Sequence, residues 1–231
     1  MKLALLGDIH GNHLALRAVL AAAKLEGVER LLITGDFIGY YFWPSQVLDM
    51  LSGWDLVAVR GNHEDMLIQA YRRPELLLDI EQRYGSGLSV ALDSLSAAQL
   101  DWLMKLPHPQ SIAIGDCKIL LCHGAPWDVD QYIYPDSDSE LFERCDKLVH
   151  DWVVTGHTHY PLIRQLDKTM FVNPGSVGQP RDRVPGAAWA LLDSETGQVE
   201  LKREPYDIHS VANEARQIHP KLNYLSEVLL R

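Results

Sequence analysis

The sequence predicts an α/β protein whose back half builds a second, mixed sheet. Three observations carry this. The first 60 residues alternate short apolar runs with helical patterns, in the order strand, helix, strand, helix, strand. The second half is dominated by apolar runs joined through tight turns. Five of the runs end in a glycine beside Asp, Asn or His. In open α/β sheets the carboxyl ends of strands are where ligands sit.

Residues 3–6 are a short apolar run bounded by Gly7, the pattern of a buried strand. Asp8 and His10 follow it. One residue apart in extended backbone, the two side chains point the same way, and a carboxylate beside an imidazole suits a divalent metal. Gly11 and Asn12 turn the chain into a helix over 13–26, with Leu14, Ala18, Ala21, Ala22 and Leu25 on one face and Gly27 as its C-terminal cap. Residues 30–34 form the second strand, ending at Gly35 and Asp36. Pro44 and residues 46–51 form a short helix. The third strand, 56–59, ends at Gly61, Asn62 and His63.

Residues 64–106 read as a helical insertion over one edge of the site. Pro74, then Gly85 and Gly87, divide it, and Ser96 caps a last helix that stops at Pro107. Strands over 110–114 and 117–121 flank the two-residue turn Gly115-Asp116 and deliver His123, with Cys122 turned to the core. An Asp- and Tyr-rich loop covers 126–139, and 140–149 is helical. The strand 152–155 ends at Gly156, His157 and His159. Hairpins follow at 162–173 and 187–203. The terminal stretch 207–230 is helical with a break at Pro220. Its Leu222, Leu225, Val228 and Leu229 are set to pack on the domain or on another subunit. No linker or repeat divides the chain, so residues 1–231 read as one domain.

Composition narrows the function. A net charge of −10 opposes binding to long nucleic acid or to an anionic membrane surface. Cys117, Cys122 and Cys145 are odd in number and show no C-x-x-C spacing, as expected of free thiols in a reducing compartment. The apolar run before Asp8 is too short for a signal peptide, and no longer run reaches membrane-spanning length. A cytoplasmic protein is expected.

Each of the five strand ends has an ordinary reading. Asp-x-His can cap a helix, and Gly-Asn-His-Glu can be a turn with an Asn cap. Alternating His in Gly-His-x-His is costly for a core and suits a metal. Five such ends in one chain agree on a metal site.

Asp8-x-His10, Gly35-Asp36, Gly61-Asn62-His63-Glu64, His123-Gly124 and Gly156-His157-x-His159 resemble, in order and spacing, the five motifs of the calcineurin-like metallophosphoesterases. The stretch Asn-Pro-Gly-Ser-Val-Gly-Gln-Pro-Arg at 173–181 is similar to the small bacterial and archaeal phosphodiesterase branch of that superfamily. The resemblance covers nearly all of residues 1–193. It implies a four-layer α/β sandwich of two mixed sheets flanked by helices, around a dinuclear centre. It also implies that Asp8, His10 and His159 bind one metal, that Asn62, His123 and His157 bind the other, and that Asp36 bridges them. A metal-bridging hydroxide would attack phosphorus, and His63 would hydrogen-bond the phosphate and help protonate the leaving group. With N/O ligands and no thiolate, Mn²⁺ is expected to support activity in vitro, and Fe, Zn²⁺, Co²⁺ or Ni²⁺ also fit. The substrate would be a small phosphate ester: a phosphodiester or nucleotide, dinucleoside polyphosphates included.

Some residues leave more than one reading open. Val59 to Glu64 also resembles the Ser/Thr protein phosphatases, but their Gly-Asp-x-x-Asp-Arg-Gly is Gly35-Asp36-Phe37-Ile38-Gly39-Tyr40 here, without the second Asp and the Arg. A Ser/Thr-phosphatase-like phosphomonoesterase is the alternative. A catalytically silent scaffold of this fold is another, opposed by the full set of ligand residues and His63. Glu64 is a candidate for orienting His63. Arg181 either holds a substrate phosphate or forms a structural ion pair. Tyr40, Tyr41, Phe42, Trp43, Trp127, Tyr132 and Tyr134 either stack a nucleobase or anchor loops.

Overall fold

The computed structural model describes residues 1–231. Ten strands form two mixed five-stranded sheets. The front of the chain supplies β1 (Lys2–Leu6), α1 (His13–Leu25), β2 (Arg30–Ile33), α2 (Pro44–Leu51) and β3 (Leu56–Ala58). Four helices follow: α3 (Asn62–Arg72), α4 (Leu77–Tyr84), α5 (Gly87–Ser94) and α6 (Ala97–Lys105). Next come β4 (Gln110–Ile114), β5 (Cys117–Leu121), α7 (Ser139–Asp146), β6 (Trp152–Val154), β7 (Leu162–Gln165) and β8 (Met170–Asn173). The chain closes with β9 (Ala187–Asp193), β10 (Gln198–Glu204), α8 (Ile208–Ile218) and α9 (Tyr224–Glu227).

The first sheet has the order β10-β9-β1-β2-β3, with β1, β2 and β3 parallel and β9 antiparallel to β1. The second has the order β4-β5-β6-β8-β7, with β5, β6 and β8 parallel. The last hairpin therefore completes the first sheet rather than extending the β-rich back half. Alternation along each strand sets the layers. Leu3, Leu5 and Leu32 meet Ile119, Leu121, Trp152 and Val154 between the sheets. Ala4, Leu6, Leu31 and Ile33 face α1, α2, α3, α5 and α6, while Leu120, Val153 and Phe171 face Phe142 and Cys145 of α7. The result is a four-layer α/β sandwich. The helices over 62–105 contribute Leu67, Leu88, Ala91 and Leu103 to the main core, so they are more than a cover on the site.

The caps match the sequence. Asn12 Oδ1 accepts the Ala15 N–H, and Ser96 forms a capping box with Gln99. Gly27 has φ +74°, and Val28 N–H returns to the Ala23 carbonyl. The buried face of α1 differs from the expected one: Ala15, Leu16, Val19, Leu20 and Ala23 are buried, and Leu25 is 90% exposed. Two apolar stripes run along this helix, and the sheet selects the one carrying Leu16, Val19 and Leu20. The terminal stretch packs on its own chain. Leu225, Val228 and Leu229 are buried with Tyr40, Tyr41 and Phe42.

Candidate metal centre

The carboxyl ends of β1, β2 and β3 and of β5 and β6 converge at one edge of the two sheets. Beyond the strands, the loops keep pairing. Asp8 N–H donates to the Gly35 carbonyl, His10 N–H to that of Asp36 and Gly11 N–H to that of Phe37. The backbone there is not extended. Asp8, His10, Asp36, His157 and His159 have φ of +53°, +50°, +55°, +66° and +61°. Strand alternation is thus not what aligns Asp8 with His10. Both occupy the left-handed region, which costs non-glycine residues on the order of 1 kcal/mol each and concentrates at functional sites.

The side chains form two groups that share one carboxylate. In the first, His159 Nε2 is 3.3 Å from Asp8 Oδ1 and 3.1 Å from His10 Nε2. In the second, His123 Nε2 is 3.0 Å from Asn62 Oδ1 and 3.1 Å from His157 Nδ1. Asp36 Oδ2 lies 3.6 Å from His10 Nε2 and 3.4 Å from His123 Nε2. All seven residues that the motifs single out are brought together. His63 joins them, with a ring nitrogen grouped with a ring nitrogen of His10 and a carboxylate oxygen of Asp36.

Each of the four imidazoles in the two groups has its outer nitrogen on a backbone carbonyl. His10 Nδ1 meets Ile38 O at 3.1 Å, His123 Nδ1 meets Thr34 O at 2.8 Å and His159 Nδ1 meets Gln179 O at 2.6 Å. His157 is turned round, with Nε2 on Asp130 O at 3.1 Å. A carbonyl can only accept, so each outer nitrogen carries a proton, and wherever the ring is neutral the inner nitrogen presents a lone pair. A buried cluster of nitrogen and oxygen donors, with its tautomers fixed in this way, fits divalent metal ions.

A profile of the calcineurin-like phosphoesterase superfamily domain matches residues 1–197. The chain belongs to this superfamily. It is a metal-dependent phosphoric ester hydrolase by class. It is 27% identical over 224 residues to the uncharacterized protein MJ0912 of Methanocaldococcus jannaschii, covering 89% of this chain and 88% of that one. It is 24% identical over 222 residues to phosphodiesterase YfcE of Escherichia coli K12, covering 92% and 98%. The crystal structure of hypothetical protein PH1004 from Pyrococcus horikoshii superposes with a TM-score of 0.86 at 24% identity, over 99% of this chain and 97% of that one. At that identity the likeness shows the shared fold.

Within this superfamily architecture, charge follows burial. Burial lowers the pKa values of His10 and His159, brings His157 to about 3 and brings His63 to about 4. These rings are neutral near pH 7, as ligands must be. His123 is the exception. Burial disfavours its cation, but the Asp36 carboxylate outweighs that and raises it to about 9. Burial likewise opposes the Asp36 anion, and His123 and its neighbours hold the Asp36 pKa well below the usual value.

Glu64 does not orient His63. Its carboxylate accepts the backbone N–H groups of Asp36 at 2.8 Å, Phe37 at 2.9 Å and Gly61 at 2.8 Å, so it ties two of the motif loops together. Gly61 is flush against Asp36, where a Cβ would stand 2.1 Å from Oδ1. His63 Nδ1 is buried without a hydrogen-bond partner. Packing holds the ring among His10 at 4.7 Å, Tyr40 at 4.9 Å and Tyr84 at 5.6 Å between centroids. At position 39, where the phosphatase pattern carries its second Asp, a Cβ on glycine would lie 2.3 Å from His63 Nδ1.

Arg181 forms no salt bridge. Its Nη2 donates to Tyr40 Oη at 3.1 Å and to Gln179 Oε1 at 3.0 Å, and its buried Nε has no acceptor. The aromatic residues divide. Tyr41 and Phe42 are core, and Trp127 carries Arg144. Tyr132 stacks on His157, with centroids 3.9 Å apart and planes at 30°. Sequence reasoning had Glu64 and Tyr132 in other roles, and it had Gln179 only as part of a motif: Glu64 holds backbone N–H groups, Tyr132 covers His157, and Gln179 contacts His159 and Arg181. The signal for Gln179 was its place in the 173–181 motif.

Proposed function

We propose that this chain hydrolyses a small phosphodiester or nucleotide with two divalent metal ions, manganese serving in vitro. One observation carries the reading: a single Asp36 oxygen lies within 3.6 Å of both imidazole groups, on His10 and on His123. Asp8, His10 and His159 would hold one ion, Asn62, His123 and His157 the other, and Asp36 both. Bound there, the ions would activate a water and neutralise phosphoryl charge.

The chain's own residues supply the rest. His63, adjoining the first group, donates a hydrogen bond to the phosphate and a proton to the leaving oxygen. The incoming phosphate charge favours the protonated ring that burial otherwise disfavours. Arg181, a cation without a carboxylate, takes a phosphate oxygen. The name of the E. coli relative, a phosphodiesterase, supports a diester. The three cysteines are unpaired, as in proteins of a reducing compartment, and we place the chain in the cytoplasm on that ground. We read residues 1–231 as one domain, because β9 and β10 complete the first sheet and α9 seals Tyr41.

The test is hydrolysis of bis(p-nitrophenyl) phosphate and of diadenosine tetraphosphate with added manganese, against a chelator control. Chelator-sensitive cleavage of either supports the reading. Asp36→Asn should then lose both manganese ions in an equilibrium titration, and Asn62→Ala only one. Failure of the wild-type chain to bind manganese overturns it.

A further inference from the structure

Gln179 is fully buried, and each of its polar atoms is committed to the site or to what supports it. Its carbonyl accepts His159 Nδ1 at 2.6 Å, fixing that ring's tautomer. Its N–H donates to Ser176 Oγ at 2.7 Å, and Ser176 Oγ donates to the Asp8 carbonyl at 2.7 Å. Its side-chain Oε1 accepts Arg181 Nη2 at 3.0 Å. The same oxygen faces Tyr224 Oη at 3.5 Å, and Nε2 faces Tyr41 Oη at 3.5 Å. Tyr41 Oη in turn donates to the Leu225 carbonyl at 3.0 Å. Tyr224 and Leu225 lie outside residues 1–197, the part the superfamily profile matches.

We propose that Gln179 is the positioning residue for Arg181. Its amide is held in one orientation from the C-terminal helix and points the guanidinium at the place a substrate phosphate occupies. A guanidinium with no carboxylate partner has no other side chain but Tyr40 to set its direction. An arginine aimed in advance loses less conformational freedom when it takes up an anion. An amide suits this task better than a carboxylate, because it accepts the N–H without cancelling the charge. The C-terminal segment thereby acts on substrate binding without reaching the metals. The inference rests on the proposed role of Arg181.

The test is calorimetric titration of inorganic phosphate into the manganese-saturated full chain. Arg181→Ala should weaken phosphate about tenfold, the scale of one lost charge-assisted hydrogen bond. Gln179→Leu should weaken it severalfold and, combined with Arg181→Ala, add nothing further. Gln179→Glu keeps the acceptor but pairs with the guanidinium, and should weaken phosphate at least as much as leucine does. Manganese stoichiometry should stay unchanged throughout, since the Gln179 carbonyl remains. If the leucine variant does not fold, Gln179→Met replaces it in the cycle. Wild-type affinity in the Gln179 variants, or additive losses in the double variant, overturns the proposal. An unchanged affinity in Arg181→Ala overturns the phosphate role of Arg181 itself, and this inference with it.

Discussion

The carboxylate of Glu64 accepts the backbone N–H of Asp36 at 2.8 Å. Asp36 is the residue shared by both donor groups, and Glu64 also takes the N–H groups of Phe37 and Gly61. A glutamine would turn its amide NH₂ toward one of these donors. Glu64→Gln should therefore cost about 1–3 kcal/mol of stability. Manganese affinity should fall about 10–100-fold, because the partner that orients a ligand loop is lost. Denaturant unfolding and manganese titration on the same variant check both.

His63→Ala should lower kcat by about 10²–10⁴ with manganese content intact. If the ring protonates the leaving oxygen, the loss is large for a diester with an alkyl leaving group and small for one that expels p-nitrophenolate. Equal losses on the two substrates would leave His63 only as a phosphate ligand.

Tyr132 covers the face of His157 at 3.9 Å. Tyr132→Ala should weaken the binding of one manganese ion about tenfold, as expected when support for a ligand is removed. Tyr132→Phe should not, because the ring provides the stacking. Manganese binding followed by paramagnetic resonance separates the two variants.

His219 Nε2 accepts the Ser86 N–H at 2.9 Å, which ties the end of α8 to the start of α5. Burial lowers the pKa of this ring in the folded chain. The unfolded chain, with an ordinary histidine pKa of about 6.5, takes up the proton first. The contribution is present above that pH and is lost as pH falls toward the folded value. Between pH 7.5 and 5.5 the wild type should lose melting temperature faster than His219→Gln. Parallel curves would refute this.

Much of the fold and the site could be read before any coordinates. The apolar runs at 3–6, 30–34, 56–59, 117–121 and 152–155 are strands, and Gly27, Ser96 and Gly115 sit where their turns and caps require. The seven candidate ligands and His63 came from the same local patterns. Side-chain period and capping depend on neighbours a few residues away, so they are written in short stretches of sequence. Tertiary structure decided what depends on distant partners. It chose the buried stripe of α1, since either stripe is apolar and only the sheet distinguishes them. It put Asp8 and His10 in the left-handed region, because their N–H groups must reach the Gly35 and Asp36 carbonyls. It gave Glu64 three backbone donors in place of His63, and placed the last hairpin beside β1. It joined Gln179 to His159 and to the C-terminal helix, contacts that span 20 and 45 residues and have no local signature.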